Sequence, residues 1–216
     1  MPGGQRVKAA ILISGGGTNL QSFIDRTAAG DLDLDIAVVL SNKPDAYGLE
    51  RARKADIPVE CVRHVDFPER EQFDAALVET LDRYEPDLVI LAGFMRILTP
   101  VFIDHFEGRI FNIHPSLLPK YPGLDTHQRA LDAGDDRAGS TVHFATRELD
   151  GGPMIIQGRV PVESGDTAAS LAARVLAVEH QIYPKAAQLF AEGRLEYREG
   201  HAWLDGARLD EPLQFS

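Results

Sequence analysis

Short apolar runs alternate with amphipathic stretches through the first half of the chain. Val7-Lys8-Ala9-Ala10-Ile11-Leu12-Ile13 is almost unbroken in apolar character and runs into Ser14-Gly15-Gly16-Gly17-Thr18-Asn19. Such a run predicts a strand covered on both faces. Leu20, Phe23, Ile24 and Ala28 then recur with helical spacing and predict an amphipathic helix. Ile36 to Leu40 and Val59 to Val62 repeat the strand signal, with a short helix over Gly48 to Ala55 between them. Phe73, Ala76, Leu77, Leu81 and Tyr84 mark a longer helix that Pro86 ends, and Leu88 to Ala92 is a fourth strand. Strand-helix alternation of this kind predicts a doubly wound α/β fold, Rossmann-like, with a mostly parallel sheet and helices on both faces.

Beyond Thr99 the pattern changes. Ile110 to Ile113 reads as a short strand and Leu117 to Gly123 as a proline-rich loop. Thr141 to Ala145 and Ile155 to Val162 read as two strands joined through the turn Asp150-Gly151-Gly152-Pro153, which gives the C-terminal portion an antiparallel character. A long helix from about Thr167 to Glu192 places Leu171, Val175, Val178 and Ile182 on one face, with Pro184 as a kink or break. The tail from Arg194 reads as a short hairpin. No repeat or linker divides the chain, so residues 1–216 are expected to form one domain, with halves at about 1–100 and 101–193 and a tail at 194–216.

Composition narrows the function classes. The chain of 216 residues has 25% charged and 44% hydrophobic residues, and no apolar run approaches the roughly 20 residues that cross a bilayer. Met1 to Lys8, with Pro2-Gly3-Gly4, lacks the apolar core of a secretory signal, so a cytoplasmic location is expected. Cys61 is the single cysteine, with no Cys/His cluster of zinc spacing around it, so no metal is expected and Cys61 reads as a core residue. The formal net charge of -11 opposes a nucleic-acid footprint. An anionic ligand therefore needs a local site.

Four segments can carry chemistry. Ser14 to Asn19 joins a strand to a helix, where successive N–H groups can meet a phosphate at the positive end of the helix dipole; a tight turn that only needs glycine explains it equally well. It is not a dinucleotide fingerprint, because Leu20 stands where the third glycine belongs, nor a P-loop. Asn112 and His114 alternate onto one face of a strand, where an amide donor and an imidazole can act on a carbonyl, although a lone strand-end histidine is often structural. Asp150 opens a glycine turn and can orient a histidine, or serve as ordinary turn chemistry. Gly93-Phe94-Met95-Arg96-Ile97-Leu98 follows a buried strand at the end where open α/β sheets bind ligands, and core packing is its plainer reading. His64, His105, His143, His180 and His201 have no partner that sequence identifies, so each reads as solvated or structural.

In combination these segments resemble the phosphoribosylglycinamide formyltransferase family over almost the whole chain. The carriers are Ile13-Ser14-Gly15 with Gly17-Thr18-Asn19, then Leu91 to Leu98, Asn112 to Gly123, Leu149 to Pro153, and Glu179-His180 before Tyr183-Pro184. The resemblance implies a single formyltransferase domain with a phosphate-binding first half and a catalytic, folate-binding second half. It implies transfer of the formyl group of 10-formyltetrahydrofolate, a co-substrate, to the amine of glycinamide ribonucleotide in purine biosynthesis through a tetrahedral intermediate. Asn112, His114 and Asp150 would be catalytic, Gly17, Thr18 and Asn19 would hold the substrate phosphate, and Glu179 the ribose hydroxyls. The folate would meet Arg70, Met95, Arg96, Ile97, Leu98, Asn112, Thr146, Arg147, Glu148, Leu149 and Asp150. Partners are small molecules, with no nucleic acid or membrane, and the protein is expected as a monomer or homodimer.

Three positions depart from the family pattern. Gly16 stands where some relatives have Asn, Leu176 where they often have Gln or Lys, and Asp125 where they usually have His. Methionyl-tRNA formyltransferase and formyltetrahydrofolate deformylase share the Asn, His and Asp arrangement but carry extra domains for which this length leaves no room. A nicotinamide-dependent reductase would want the missing third glycine and an acidic residue where Ser41-Asn42 stand. A non-catalytic nucleotide-binding module leaves the later blocks unexplained.

Overall fold

The computed structural model describes residues 6–215, so Pro2-Gly3-Gly4 lies outside the described residues. β1 (Val7–Ile13) runs through the middle of an eight-stranded sheet. On one side of it lie β2 (Leu34–Ser41) and β3 (Val59–Cys61), on the other β4 (Leu88–Leu91) and β5 (Ile110–His114), all parallel. β6 (Arg137–Phe144) then pairs antiparallel with β5, and β7 (Met154–Pro161) antiparallel with β6.

Alternation along β1 explains the two layers of helices. Ala9, Ile11 and Ile13 enter a core with α1 (Thr18–Ala29), α2 (Tyr47–Lys54) and α6 (Ala168–Ala191), while Ala10 and Leu12 enter a second core with α3 (Arg70–Asp82) and α4 (Pro100–His105). The near-continuous apolar reading of β1 follows from burial on both faces. The expected doubly wound α/β fold is present, with a mixed rather than purely parallel sheet.

Several details differ from the sequence reading. α4 and α5 (Thr126–Asp132) were not legible, because six and seven residues are too short to display a helical period. β6 begins at Arg137 rather than Thr141. Its extra residues include Gly139, where a Cβ would overlap the Gly158 carbonyl of β7, and a strand that needs a glycine for close backbone approach shows little strand propensity. Of the kink or break expected at Pro184, the break is absent: the helix runs through it for 24 residues. Buried Tyr183, Ala186 and Ala187 pin both sides of the proline, and the Tyr183 hydroxyl lies 2.9 Å from the Leu91 carbonyl and 3.0 Å from that of Phe111. Cys61 is exposed, at the end of the edge strand β3, and is not a core residue.

The tail is also more than a hairpin. β8 (Leu195–Arg198), β9 (His201–Leu204) and β10 (Ala207–Arg208) form a small antiparallel sheet, after which β11 (Leu213–Phe215) returns to the main sheet, parallel to β7. Leu209, Leu213 and Phe215 pack against the larger core and hold that return in place.

Candidate active site

The last residues of β5 and the turn after β6 build the centre of the site. Asn112 lies opposite His143 of β6 in the register, and His114 lies opposite Thr141. Asp150 follows β6 with φ of 53°, a left-handed conformation that Asp tolerates better than most side chains. There its Oδ2 accepts the Gly123 N–H at 2.9 Å and lies 3.4 Å from His114 Nδ1, while Oδ1 lies 4.0 Å from His143 Nε2. His114 Nε2 lies 2.8 Å from the Tyr121 carbonyl. Both ring nitrogens of His114 thus face oxygen atoms. A buried imidazole flanked by a carboxylate and an amide donor is an arrangement that can stabilise negative charge on a nearby oxygen.

The proline-rich loop is fixed by β6 and β7. Thr141 Oγ1 donates to the Ser116 carbonyl at 2.7 Å and lies 3.1 Å from the Leu118 N–H, and Gln157 Nε2 donates to the Leu118 carbonyl at 2.8 Å. These bonds set the position of Tyr121 and so of the His114 ring. The peptide bond between Leu118 and Pro119 is cis.

Glu179 joins this centre to the glycine loop. It is 7% exposed, with Oε2 accepting from Asn19 Nδ2 at 2.8 Å and Oε1 lying 3.0 Å from Ser140 Oγ. Ser140 Oγ is in turn 2.7 Å from the His114 carbonyl. Burial pushes the Glu179 carboxyl above the usual carboxylate range, and the two hydrogen bonds pull the other way. In the glycine loop, Gly17 caps α1 with φ of 70° and no side-chain cap, so the first-turn N–H groups are open to an anion. A Cβ on Gly17 would lie 2.8 Å from the Gly48 Cα, whereas one on Gly16 would meet nothing within 4 Å. The turn therefore needs glycine at position 17, while the departure at Gly16 is sterically free.

A cleft of about 660 Å³ opens over Asn112, His114 and Asp150. The loop Gly93–Leu98 and the stretch Thr146–Asp150 line it, so Met95, Arg96, Ile97, Leu98, Thr146, Arg147, Glu148 and Leu149 are all brought together. Met95 is 69% and Leu124 81% exposed, apolar side chains left open around the cleft mouth. Such a lining suits a flat ring system. The Met95 N–H donates to Ser14 Oγ at 2.7 Å, which ties this loop to the start of the glycine loop. Arg70 does not line the cleft; its Nη2 donates to the Ile97 carbonyl at 2.6 Å from outside. Arg147 is held in an ion pair with Asp104. Gly17, Asn19 and Glu179 also lie away from this cleft, and Thr18 opens instead on a neighbouring hollow of about 460 Å³ with Arg51 and His180.

Sequence reading passed over His143, His127 and Ser140. His143 and His127 line the cleft. Burial holds both imidazoles below the ordinary histidine range, and the charge on His114 adds to the effect. A polar residue between Val142 and Phe144 was the only available signal for His143; its partner depends on strand register, which no local pattern fixes. Asp125, the third departure, lines the cleft at the start of α5.

Comparison with known proteins accords with this geometry. The formyl transferase family model matches residues 7–187. The chain is 53% identical over 199 residues to phosphoribosylglycinamide formyltransferase of Escherichia coli (strain K12), covering 92% of this chain and 94% of that one. It is 43% identical to trifunctional purine biosynthetic protein adenosine-3 of Homo sapiens, over 90% of this chain and 19% of that protein. The solved phosphoribosylglycinamide formyltransferase of Coxiella burnetii superposes with a TM-score of 0.93 at 47% identity, covering 98% of this chain and 100% of that one. The chain belongs to the formyl transferase family.

Proposed function

We propose that this enzyme transfers the formyl group of 10-formyltetrahydrofolate to the amine of 5-phosphoribosylglycinamide, giving N-formylglycinamide ribonucleotide and tetrahydrofolate on the route to IMP. The observation that carries this reading is the group of Asn112, buried His114 and Asp150 in an apolar cleft, linked through Ser140 and Glu179 to the glycine loop. The relatives' names supply the acceptor.

The residues divide the work as follows. The open N–H groups around Gly17, Thr18 and Asn19 bind the phosphate, and Glu179 meets the ribose hydroxyls. Met95, Ile97, Leu98 and Leu149 cover the folate ring, with Arg96, Thr146, Arg147 and Glu148 along the same walls. Arg70 meets the donor's glutamate tail. The acceptor amine attacks the formyl carbon, a C–N bond forms, and charge gathers on the formyl oxygen. Asn112 donates to that oxygen, and His114 exchanges the Tyr121 carbonyl for it, donating beside Asn112 while Asp150 holds the other ring nitrogen. The bond from the formyl carbon to the folate nitrogen then breaks as a proton passes from the new amide nitrogen to the leaving nitrogen, with Asp150 assisting. No metal is required. Among the described residues no helix is long and apolar enough to cross a membrane.

Purified protein mixed with both substrates, with absorbance following the folate product, tests the reading. Turnover that requires the ribonucleotide amine supports it. Folate product formed at the same rate without the amine points to hydrolysis and contradicts it.

A further inference from the structure

The proposed chemistry leaves one buried titratable group in contact with it unused. His143 is 2% exposed and sits on β6 directly across from Asn112. Its Nδ1 lies 2.9 Å from the Phe144 carbonyl, an atom that can only accept, so Nδ1 carries a hydrogen. Burial holds the ring below the ordinary histidine range, against the opposing pull of the Phe144 carbonyl and of Asp150. A neutral ring with hydrogen on Nδ1 presents a bare lone pair at Nε2. That lone pair faces Asn112 Nδ2 at 3.3 Å.

The consequence concerns which end of the Asn112 amide faces which way. An imidazole lone pair accepts a hydrogen from the –NH2 end and repels the carbonyl end. The amide is thus held with Nδ2 against His143, one of its hydrogens is used there, and the other remains for the cleft that Asn112 lines. With the amide reversed, a carbonyl oxygen would stand where the developing negative charge needs a donor. We infer that His143, in its neutral Nδ1–H form, is a positioning residue that fixes the Asn112 amide with its N–H toward the reacting formyl oxygen. The inference rests on the formyl-transfer reading for the identity of that oxygen, but the amide orientation itself does not.

Two measurements test it. Nitrogen NMR of the full-length protein with isotope-labelled histidine reads the tautomer without substrate; at neutral pH the His143 ring is expected neutral with hydrogen on Nδ1, and a ring with hydrogen on Nε2, or on both nitrogens, overturns the inference. Kinetics read the consequence. His143→Leu removes the acceptor and is expected to lower kcat about tenfold or more, with KM for both substrates within about twofold, because it disturbs a donor that acts in the transition state. His143→Gln, which restores an acceptor oxygen, recovers most of the loss. In the Asn112→Ala background the same His143→Leu change has little further effect. An equal loss with and without Asn112, or no rescue by Gln, shows that His143 serves the fold alone. If His143→Leu does not fold, the tautomer and the Gln variant still decide the matter. A wild-type enzyme of the expected tautomer but without transfer activity overturns the formyl-transfer reading and leaves Asn112 no reacting oxygen to face.

Discussion

Replacing Asn112, His114 or Asp150 by Ala removes a donor or its support from the transition state while leaving the surrounding strands paired. Each change should lower kcat by about 100-fold or more, the usual cost of one oxyanion donor, with circular dichroism unchanged. Near-normal turnover in all three would exclude the proposed roles. The glycine loop makes a second prediction of a different kind. Gly17→Ala meets both a φ of 70° and a Cβ 2.8 Å from Gly48, so it should destabilise the protein by about 1–2 kcal/mol or more in chemical denaturation. Gly16→Asn, into open space, should change stability by less than about 0.5 kcal/mol. Equal effects at the two positions would contradict the packing described.

Strands and helices set the protonation of the groups they carry. The folded state holds His143 and His127 below the ordinary value of 6.5, so the unfolded chain binds more protons as pH falls below that value, and these two groups cost stability in that window. Glu179, raised by burial, acts in the opposite sense as its ionised form is relieved at lower pH. His143→Gln should therefore lose less in thermal midpoint than wild type between about pH 7 and about pH 5.5. Equal losses would place the titration elsewhere. The same elements show what a sequence can and cannot reveal. β1 and α1 were legible because burial on two faces and a helical stripe leave strong local periods. β6 was only half legible, since Arg137 to Ser140 holds its place through close contact with β7 rather than through apolar character. The pairing of Asn112 with His143 and the bond between Ser140 and Glu179 were invisible, because each joins residues whose distance depends on register and on where α6 crosses the sheet. Whether Pro184 kinks or ends α6 was left open by the sequence for a related reason: the support for continuing comes from Tyr183 reaching Leu91 and Phe111, far away in sequence.

One sheet spans the chain from β3 to the returning β11, and β4 pairs with β5 across the boundary between the two halves. We propose that the halves form one cooperative unit, with a single calorimetric transition whose van't Hoff and calorimetric enthalpies agree. Two resolved transitions would show separate units. The sheet also brings the glycine loop, from its first half, within reach of the His114 centre, from its second, through Asn19, Glu179 and Ser140. A phosphorylated acceptor and a folate donor would thus meet at the carboxyl ends of adjacent strands. The most direct test is to supply 10-formyltetrahydrofolate labelled in the formyl carbon together with 5-phosphoribosylglycinamide and to identify the product by mass spectrometry. The label should appear on the glycinamide amine in amounts equal to the tetrahydrofolate formed. Label recovered as free formate, with the ribonucleotide unmodified, would contradict the proposed transfer.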